Sequence, residues 1–549
     1  MAFTLQPRIS SPRHFERLTM LLFNRTALAT VFAFCAAATV PAYASDAPGS
    51  VTIHRDQWGV PYIFAATDAD AAYGLGYAMA EDRLADLYTN VRTATGRMAE
   101  AFGPEHVEMD YVIRMARIPE RCEEYWTTAP QHIQDHTAAF LRGVQAYVKE
   151  NPDKDPEHAL ELEPWHVGAI GQAMISRWPL GQIQDELRNT QNSTGFGSNQ
   201  WSVARKRSAD GRAILLTDPH LTWEGMAVFY EAHVFGDHLE MHGYFLVGSP
   251  LLAFGHNGYV GWAPTTGGPD TADIYELELN PENQGQYKYD GEWRRTRVSL
   301  IRIPVKGEKA VTRPAAYSHL GPFVSEPKDG KAYVGASPYL NEVGIPAQFW
   351  DMVAARDADA FYEALGQNHY MEQNIMYADR AGTIGYVRAG RVPIRPEGYN
   401  WLEAVPGNTS ATAWTGIHPI EDLVQIKNPG AGFMQNCNIS PGVMMPDSPL
   451  HPDKYPSYIY NVSWDSQNTR GLRALELLGA DNSLTVDEAK AVAFDVHDVL
   501  ADSWNNALET ALENYGDEYK DEAFQQAAQT LLDWVQNFTA DSRAEALVF

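Results

Sequence analysis

Apolar residues in the first part of the chain recur at intervals of three and four positions. This spacing predicts helices over Ala66 to Gly103 and over Ile133 to Glu150. In the second segment, the residues that show the spacing include Phe140, Val144 and Val148. Side chains at these intervals share one face of a helix, so the first part of the chain is predicted to be mainly helical.

The next segment, Trp165 to Ile183, is expected to form another helix. It is followed by a polar run from Gln184 to Gly195 that has no apolar periodicity. Exposed polar segments of this kind are where proteolytic nicking concentrates. We therefore predict a spacer peptide over residues 184–197 that is removed or nicked when the protein matures.

From Trp201 onward the pattern of apolar residues becomes typical of strands. Short runs rich in β-branched and aromatic residues are separated by turns that contain Gly, Asp and Asn. The predicted strands include Trp201 to Ala204, Ala213 to Leu216, Val228 to Val234 and Tyr259 to Trp262. Helices are expected again after Arg470. The whole pattern favours an α+β protein.

The composition is that of a globular protein with a large core, with 45% hydrophobic and 20% charged residues. The 42 basic and 70 acidic residues give a net charge of −28, which argues against a nucleic-acid partner because such partners require a basic surface. Three cysteines are present. Cys35 falls in the N-terminal segment, and Cys122 and Cys437 are expected to be separate buried thiols, with a disulfide between them as the alternative.

The N-terminus carries the features of a secretory signal peptide. Thr26 to Val40 is apolar but shorter than the about 20 residues that span a bilayer. Arg17 and Arg25 precede it, and the Ala-x-Ala cleavage pattern follows at residues 42–44. We predict a signal peptide over residues 1–44 and a periplasmic or secreted protein without a membrane partner once the signal is removed. A membrane anchor is the alternative.

The junction between Gly197 and Ser198 carries the most specific chemistry in the chain. Glycine adopts backbone conformations that a side chain forbids, so Gly197 can hold a strained peptide bond beside a hydroxyl. If this bond breaks, Ser198 gains a free α-amine with a pKa of about 7.7–8.0. The hydroxyl and the amine together supply a nucleophile and its base. A turn that enters a strand is the alternative interpretation of this junction.

Gly-Ser-Asn-x-Trp at residues 197–201 resembles the junction of the penicillin acylase family of N-terminal nucleophile hydrolases. Val51 to Pro61 is similar to another family segment, and Ala72 to Leu84 is similar to the family's opening helix. The resemblance continues to the last residue. It implies a precursor that cuts itself into a small A subunit and a large B subunit, with the serine at the start of B.

The resemblance also implies the architecture. Members of the family have an αββα sandwich, in which two stacked sheets lie between helical layers and the nucleophile begins a strand. The A subunit would be mainly helical and occupy residues 45–183. The B subunit would occupy residues 198–549 and pair with A as a heterodimer.

Several catalytic roles follow from the resemblance. His220 matches a family histidine close to the serine, where it would orient the hydroxyl or tune the amine. Gly261 to Gly267 matches the family's oxyanion loop and places a backbone donor at the N–H of Thr266. A lone structural histidine is the alternative for His220.

The second oxyanion donor comes from an Asn-x-Asn motif. The resemblance assigns Asn438 as the donor and Asn436 as the neighbour that orients it. Arg470 matches the arginine that supports this asparagine in the family, and Arg473 is the other candidate. Two ordinary turn asparagines are the alternative.

Asp270 to Asp273 resembles the calcium loop of some penicillin acylases. The carboxylates of Asp270 and Asp273 and the carbonyl of Ala272 would supply three of the oxygen ligands that calcium prefers. An acidic residue of the A chain would join them, and Asp185 and Glu186 stand near the expected place. We expect one structural calcium ion and no organic cofactor, with ordinary loop aspartates as the alternative.

The chain stops within an apparent helix, Ala544 to Phe549, that has no capping residue. The sequence is therefore interpreted as a C-terminally shortened form. We expect it to lack an acidic partner for His220 and part of the substrate pocket.

Together these features predict a self-processing amidohydrolase that acts on a linear N-acyl amide through an acyl-enzyme on Ser198. The substrate is open among β-lactam side chains, acyl-homoserine lactones and lipopeptide acyl groups. The alternative is a catalytically silent, unprocessed acylase-like periplasmic binding protein.

Overall fold

The computed structural model describes residues 49–188, 197–515, 518, 521–534 and 536–539. The predicted signal peptide, most of the predicted spacer and the last ten residues lie outside these ranges. Within the described residues, no helix is both long and apolar enough to cross a membrane.

The predicted helices of the first part of the chain are present, with shifted ends. The helices before the junction are α1 (Asp68–Ala94), α2 (Met98–Phe102), α3 (Val107–Met115), α4 (Ile118–Trp126), α5 (Gln131–Glu150) and α6 (Pro164–Arg188). The first predicted helix is thus divided into α1 and α2, which are separated by a turn at Gly96, where φ is +62°. Helix α6 continues past Ile183, so residues 184–188 of the predicted spacer are helical.

The later helices are short. They are α7 (Ile345–Ala354), α8 (Ala358–Leu365), α9 (Ser457–Tyr460), α10 (Thr469–Ala480), α11 (Val486–Ala493), α12 (Ala501–Tyr515) and α13 (Glu522–Leu532). Local capping explains several of their starts. The side chain of Asn468 accepts from the Gly471 N–H at the start of α10, and Thr485 forms a capping box with Glu488 at the start of α11.

Strands dominate the chain after the junction, as predicted. The strands are β1 (Val51–Arg55), β2 (Pro61–Ala65), β3 (Gly197–Val203), β4 (Ile214–His220), β5 (Phe229–Phe235), β6 (Glu240–Leu246), β7 (Leu252–His256), β8 (Val260–Thr266), β9 (Asp273–Asn280), β10 (Asn283–Tyr289), β11 (Glu292–Arg295), β12 (Arg297–Ile303), β13 (Val311–Tyr317), β14 (Lys331–Ala336), β15 (Gln373–Asp379), β16 (Ile384–Ala389), β17 (Val405–Pro406), β18 (Gln425–Lys427) and β19 (Phe433–Asn436).

Two of the sheets stack on each other. The larger sheet has the order β1-β2-β5-β6-β7-β8-β15-β16-β18, and the smaller has the order β19-β3-β4. Strands β3 and β4 pack on β8 and β15 of the larger sheet. Helix α1 packs against β2 and β5 on one side, whereas α10 and α11 pack against β19 and β4 on the other. The order helix, sheet, sheet, helix confirms the predicted αββα sandwich.

Helices α1 and α5 approach each other unusually closely, and two glycines permit this contact. A Cβ on Gly76 of α1 would lie 2.0 Å from the carbonyl oxygen of Phe140 in α5. A Cβ on Gly143 of α5 would lie 1.9 Å from the carbonyl oxygen of Tyr73 in α1. Because both distances are far below van der Waals contact, the two helices can pack this way only through glycine.

A smaller lobe projects from the sandwich. It contains a sheet of order β11-β10-β9-β14, with β17 beside β9, and a separate ribbon of β12 and β13. The ribbon packs its buried residues Ile301, Ile303 and Ala315 against Ala99 and Val107 of the helical part. The cysteines, Cys122 and Cys437, are both buried and unbonded, as predicted.

Candidate active site

Ser198 lies at the start of a strand that is already paired. It is the second residue of β3, and Gly197 stands opposite His220 in the antiparallel pairing of β3 with β4. The serine is 2% exposed. A Cβ on Gly197 would lie 3.4 Å from Asn438 Oδ1 and from Arg470 Nη2, and 3.5 Å from His220 Nδ1. Three of the positions that the sequence predicted around the nucleophile, His220, Asn438 and Arg470, thus surround this glycine.

The peptide bond between Gly197 and Ser198 is intact, and two hydrogen bonds fix its geometry. The Ser198 N–H donates to Asn438 Oδ1 at 2.7 Å. The Ser198 hydroxyl donates to the carbonyl oxygen of Gly197 at 2.5 Å. The nucleophile candidate therefore lies beside the carbonyl group of the bond that maturation would break.

Asn438 bridges the nucleophile strand and the predicted oxyanion loop. Its amide Nδ2 donates to the Thr266 carbonyl at 2.8 Å, and its backbone N–H donates to Asn436 Oδ1 at 3.0 Å. An amide nitrogen carries two hydrogens, so the bond to Thr266 leaves Asn438 the capacity for a second donation. The residue has φ of +63°, a conformation that asparagine tolerates better than most residues. Asn436 thus holds Asn438, as the resemblance implies.

Arg470, rather than Arg473, supports this arrangement. Its Nη2 donates to Asn438 Oδ1 at 3.0 Å, and its Nη1 donates to the Ser198 carbonyl at 2.8 Å and to Asn199 Oδ1 at 2.6 Å. Arg473 instead binds Asp495 through two contacts at 2.8 and 2.9 Å. The contacts therefore show that Arg470, and not Arg473, binds Asn438.

The expectation that His220 lacks an acidic partner is wrong. His220 Nε2 lies 3.0 Å from Asp218 Oδ2, and Asn199 Nδ2 donates to the same carboxylate oxygen at 3.1 Å. The hydrogen bond from His220 lowers the pKa of Asp218 in spite of its partial burial. The sequence held the signal, because residues two apart on a strand share a face, and Asp218 stands two positions before His220.

The sequence analysis did not identify the residues that hold the predicted oxyanion loop. Asn374 Nδ2 donates to the Thr266 carbonyl at 3.3 Å. Arg388 donates to the carbonyls of Gly267 and Gly268 at 3.1 and 2.9 Å. Arg388 is buried within β16, and a charged residue inside an otherwise apolar strand is the signal that would have identified it.

Ser198 and Thr266 line one cavity whose walls are mainly apolar. Helix α6 contributes Gly171, Met174, Ile175 and Trp178, which share one face at helical spacing. Strands β5, β6 and β7 of the large sheet add Phe229, Leu246 and Phe254, and helix α7 adds Phe349. The void volume of this cavity is about 40 Å³, which is well below the range of about 300–1,000 Å³ that is usual for small-molecule pockets. The cavity is therefore narrow.

The predicted calcium loop faces the end of α6. Carboxylate oxygens of Glu186, Asp270 and Asp273 lie within 4.8 Å of one another. Glu186 belongs to the helical residues 184–188, and its Oε2 accepts from the Ile274 N–H at 3.1 Å. The acidic residue expected from the first part of the chain is therefore present, and it is Glu186.

Arg395 occupies part of this acidic cluster. Its Nε donates to Asp273 Oδ2 at 3.0 Å, its Nη2 donates to the Ala272 carbonyl at 3.0 Å, and Asp270 Oδ2 lies 3.1 Å from Nη2. Asp273 Oδ1 is buried and has no hydrogen-bond partner. When ionised, the three carboxylates leave two negative charges against one guanidinium, and burial without a cation raises the pKa of each carboxyl group and so favours its neutral form. The residues therefore fit a divalent cation in charge and in ligand type.

The sequence model of the penicillin amidase family matches residues 50–549. Penicillin acylase 2 proenzyme of Pseudomonas sp. (strain SE83) is 27% identical over 511 residues, which cover 81% of this chain and 64% of that protein. Acyl-homoserine lactone acylase PvdQ of Pseudomonas putida is 25% identical over 532 residues, which cover 84% of this chain and 68% of that protein.

A solved structure agrees with the fold. Thermostable penicillin G acylase from Alcaligenes faecalis superposes with a TM-score of 0.52 at 24% identity, over 63% of this chain and 60% of that one. The chain thus spans less than two thirds of the length of that structure and of the Pseudomonas proenzyme. The match of the family model over nearly the whole chain establishes that the protein belongs to the penicillin amidase family.

Proposed function

We propose that the protein is an amidohydrolase that removes an apolar acyl group from a linear N-acyl amide, with Ser198 as its nucleophile. The observation that carries this proposal is the position of Ser198, which lines an apolar cavity together with Thr266 and contacts Asn438. A nucleophile, two oxyanion donors and an apolar cavity at one place are the parts that acyl transfer requires.

Maturation would begin at the intact junction. The Ser198 hydroxyl attacks the carbonyl carbon of Gly197, the amide bond to Ser198 breaks, and an ester to Oγ forms. Water then hydrolyses this ester, which leaves a carboxylate on Gly197 and a free amine on Ser198. The hydrogen bond of 2.5 Å between the hydroxyl and the Gly197 carbonyl supports this route because it keeps the reacting groups together.

The free α-amine of Ser198 would then act as the base in the reaction with substrate. It takes the hydroxyl proton directly or through one water, and Oγ attacks the acyl carbonyl. The Thr266 N–H and the Asn438 amide hold the negative charge on the carbonyl oxygen. The amine product leaves with a proton, and water releases the acid from the acyl-enzyme. Arg470 and Asn436 position Asn438, and His220 with Asp218 orients the start of β3.

The cavity supports a substrate whose acyl part is apolar. Its walls offer little to a charged acyl chain, because Ser198, Thr266 and Gln373 are its main polar members. Relatives of the chain are named as penicillin acylases and as acyl-homoserine lactone acylases. We propose a substrate of one of these two N-acyl classes for this protein.

We propose that the protein is exported and functions as two chains. The predicted signal peptide over residues 1–44 supports export, and the junction at Gly197 supports an A chain and a B chain from one precursor. The two chains would remain associated as a heterodimer, because α6 of the first chain packs against β9 and α7 of the second.

We also propose one structural calcium ion at Glu186, Asp270 and Asp273, with the Ala272 carbonyl as a further ligand, which requires the A chain to keep Glu186 when the protein matures and not to end at residue 183. When bound, the ion would neutralise the excess charge of the cluster and join α6 to the loop that follows Thr266. It would be remote from the bond that is hydrolysed. Its role is therefore stability rather than chemistry.

N-terminal sequencing of the purified protein tests the processing step. The large fragment should begin with Ser-Asn-Gln-Trp, and Ser198→Ala should give one uncut band. Ser202→Ala is the matched control, because Ser202 is buried in the same strand and should leave cleavage intact. Release of amines from a panel of N-acyl compounds of different chain length then tests the reaction. A cut protein that hydrolyses none of them would contradict the proposed activity, and a single uncut wild-type band would favour a silent binding protein.

A further inference from the structure

A second cavity lies between the helical part and the smaller lobe, and it shares no lining residue with the acyl cavity. It is formed by the connection between α3 and α4 on one side, and by β10, β11, β12 and the loop after β13 on the other. We call it the arginine cavity, after the basic side chains that line it: Arg117, Arg121, Arg295, Arg297 and His319. Among the described residues, those that line it include no aspartate or glutamate.

The basic lining of this cavity contrasts with the acidic composition of the chain. The sequence has 70 acidic and 42 basic residues, yet four arginines and a histidine line this cavity and no carboxylate of the described residues lines it with them. Like charges at this spacing repel one another, and the repulsion grows where water is excluded. This repulsion destabilises the folded protein, and a bound anion would offset the destabilisation.

Arg121 shows this cost most directly. Its Nη1 is buried and has no hydrogen-bond partner. Burial, followed by the positive charges of Arg117 and Arg297, lowers the pKa of Arg121. The carboxylates of Glu120 and Glu124 act in the opposite direction, but Glu124 lies against Arg117 at 3.7 Å and has a largely exposed side chain. A buried guanidinium N–H without an acceptor indicates a site for one.

The surrounding structure holds the other basic groups in place. Arg117 has φ of +58°, a left-handed conformation that a non-glycine residue adopts at some cost, and it precedes the first turn of α4. Arg297 begins β12, and its guanidinium lies 4.8 Å from the ring centre of Tyr317 on the paired strand. His319 Nδ1 is fixed by the Tyr287 hydroxyl at 2.9 Å. The cavity is therefore built from ordered elements on both sides.

We propose that the arginine cavity binds a soluble anion that carries a phosphate group. Guanidinium groups present paired N–H donors that match the oxygen geometry of phosphate, and arginine is the preferred residue for such recognition. The void volume of about 390 Å³ admits a ligand larger than inorganic phosphate. The cavity shares no lining residue with the acyl cavity, so this site is independent of the proposed hydrolase activity.

Calorimetric titration with inorganic phosphate and with pyrophosphate, at constant ionic strength set by chloride, tests the proposal. Both should bind, and pyrophosphate should bind more tightly because it carries more charge. Arg297→Gln, at an exposed position that tolerates the change, should weaken binding by about tenfold, as expected for one lost charged hydrogen bond. Arg121→Gln should weaken it by as much or more. Arg212→Gln is the matched control, since its side chain is 84% exposed at a remote turn, and it should bind as the wild type does.

Three results would overturn the proposal. The first is no binding of either phosphate compound beyond that of chloride. The second is equal affinity in the wild type and in both cavity variants. The third is binding of the protein to phosphatidylglycerol vesicles but neither to phosphatidylcholine vesicles nor to the soluble compounds. That result would identify the ligand as the headgroup of an anionic lipid.

Discussion

The residues around Ser198 are held together before any bond has been cut. Asn438 accepts a hydrogen bond from the Ser198 N–H and another from Arg470, while its amide reaches the Thr266 carbonyl. These contacts join β3, β8 and α10 at one point. Because the groups are fixed by neighbours with defined conformations, the fold of the uncut chain organises the site.

We expect Asn438→Gly to slow turnover by about 10²–10³ in kcat, or roughly 2.7–4 kcal/mol, because one oxyanion donor is lost. Glycine is chosen because φ at this position is +63°, so the backbone should persist. The KM should change far less than kcat. Asp447→Gly, at an exposed position with φ of +51°, is the control for the backbone effect and should retain normal kcat. A kcat near the wild-type value in Asn438→Gly would assign the donor role elsewhere, with Asn436 next.

A second prediction at the scale of one residue concerns acid stability. Burial lowers the pKa of His136 to about 4, well below the value of about 6.5 for the unfolded chain. Between these pH values the unfolded chain binds a proton that the folded chain does not, so stability should fall as pH falls, by about 1.4 kcal/mol per pH unit from this residue.

His136→Phe should therefore flatten the pH dependence of the free energy of unfolding between about pH 6.5 and pH 4. The ring contact with Trp350, at 5.2 Å between centres, gives phenylalanine a place to pack. Urea unfolding at a series of pH values measures the effect. Parallel curves for wild type and His136→Phe would show that this histidine is not responsible.

At the scale of elements, the sequence pattern did not predict that helices α1 and α5 pack closely. Apolar spacing predicted α5 and most of α1, but it gave no sign that Gly76 and Gly143 let the two backbones touch.

We expect Gly143→Ala to destabilise the protein by about 1–3 kcal/mol, because the new methyl would meet the Tyr73 carbonyl. Gly168→Ala in α6 is the matched control. Nothing lies within 4 Å of its Cβ position, so it should be neutral or stabilising by up to about 1 kcal/mol. Thermal unfolding of both variants would decide, and equal stability would contradict the steric argument.

Sequence patterns predicted where helices and strands occur better than they predicted which residues contact one another. The junction at Gly197 and the strands after it follow from local residue types, which act over a few positions. Arg388 and Asn374 were missed because their roles arise from distant pairings, such as β8 with β15. Asp218 was missed although its partner His220 lies only two positions away on the same strand. The end of α6 was also missed. Polar residues 184–188 lack apolar periodicity, yet they are helical, with Glu186 drawn into the acidic cluster by the fold.

At the scale of the whole molecule, the acidic cluster joins the two halves of the chain. If it holds calcium, EDTA should lower the melting temperature, because an ion that binds only the folded state stabilises it by about 2.7 kcal/mol at a hundredfold excess over Kd. Calcium should restore the melting temperature and magnesium should not, since magnesium requires a smaller octahedral site.

Asp273→Asn should abolish this response, whereas Asp237→Asn, in the acidic group near the start of α1, should preserve it. Elemental analysis should find one calcium per molecule in the wild type. An unchanged melting temperature in EDTA together with no calcium would show that Arg395 alone balances the cluster.

The position of α6 has a consequence for how the mature protein can be renatured. This helix forms one wall of the acyl cavity and precedes the junction, whereas the nucleophile strand follows it. A cut at Gly197 would therefore convert one folding chain into two that share a core. The precursor would refold from denaturant by a unimolecular reaction, but the mature protein would need its two chains to meet. Its recovery would then depend on concentration, and dilution would trap the separated chains in inactive forms.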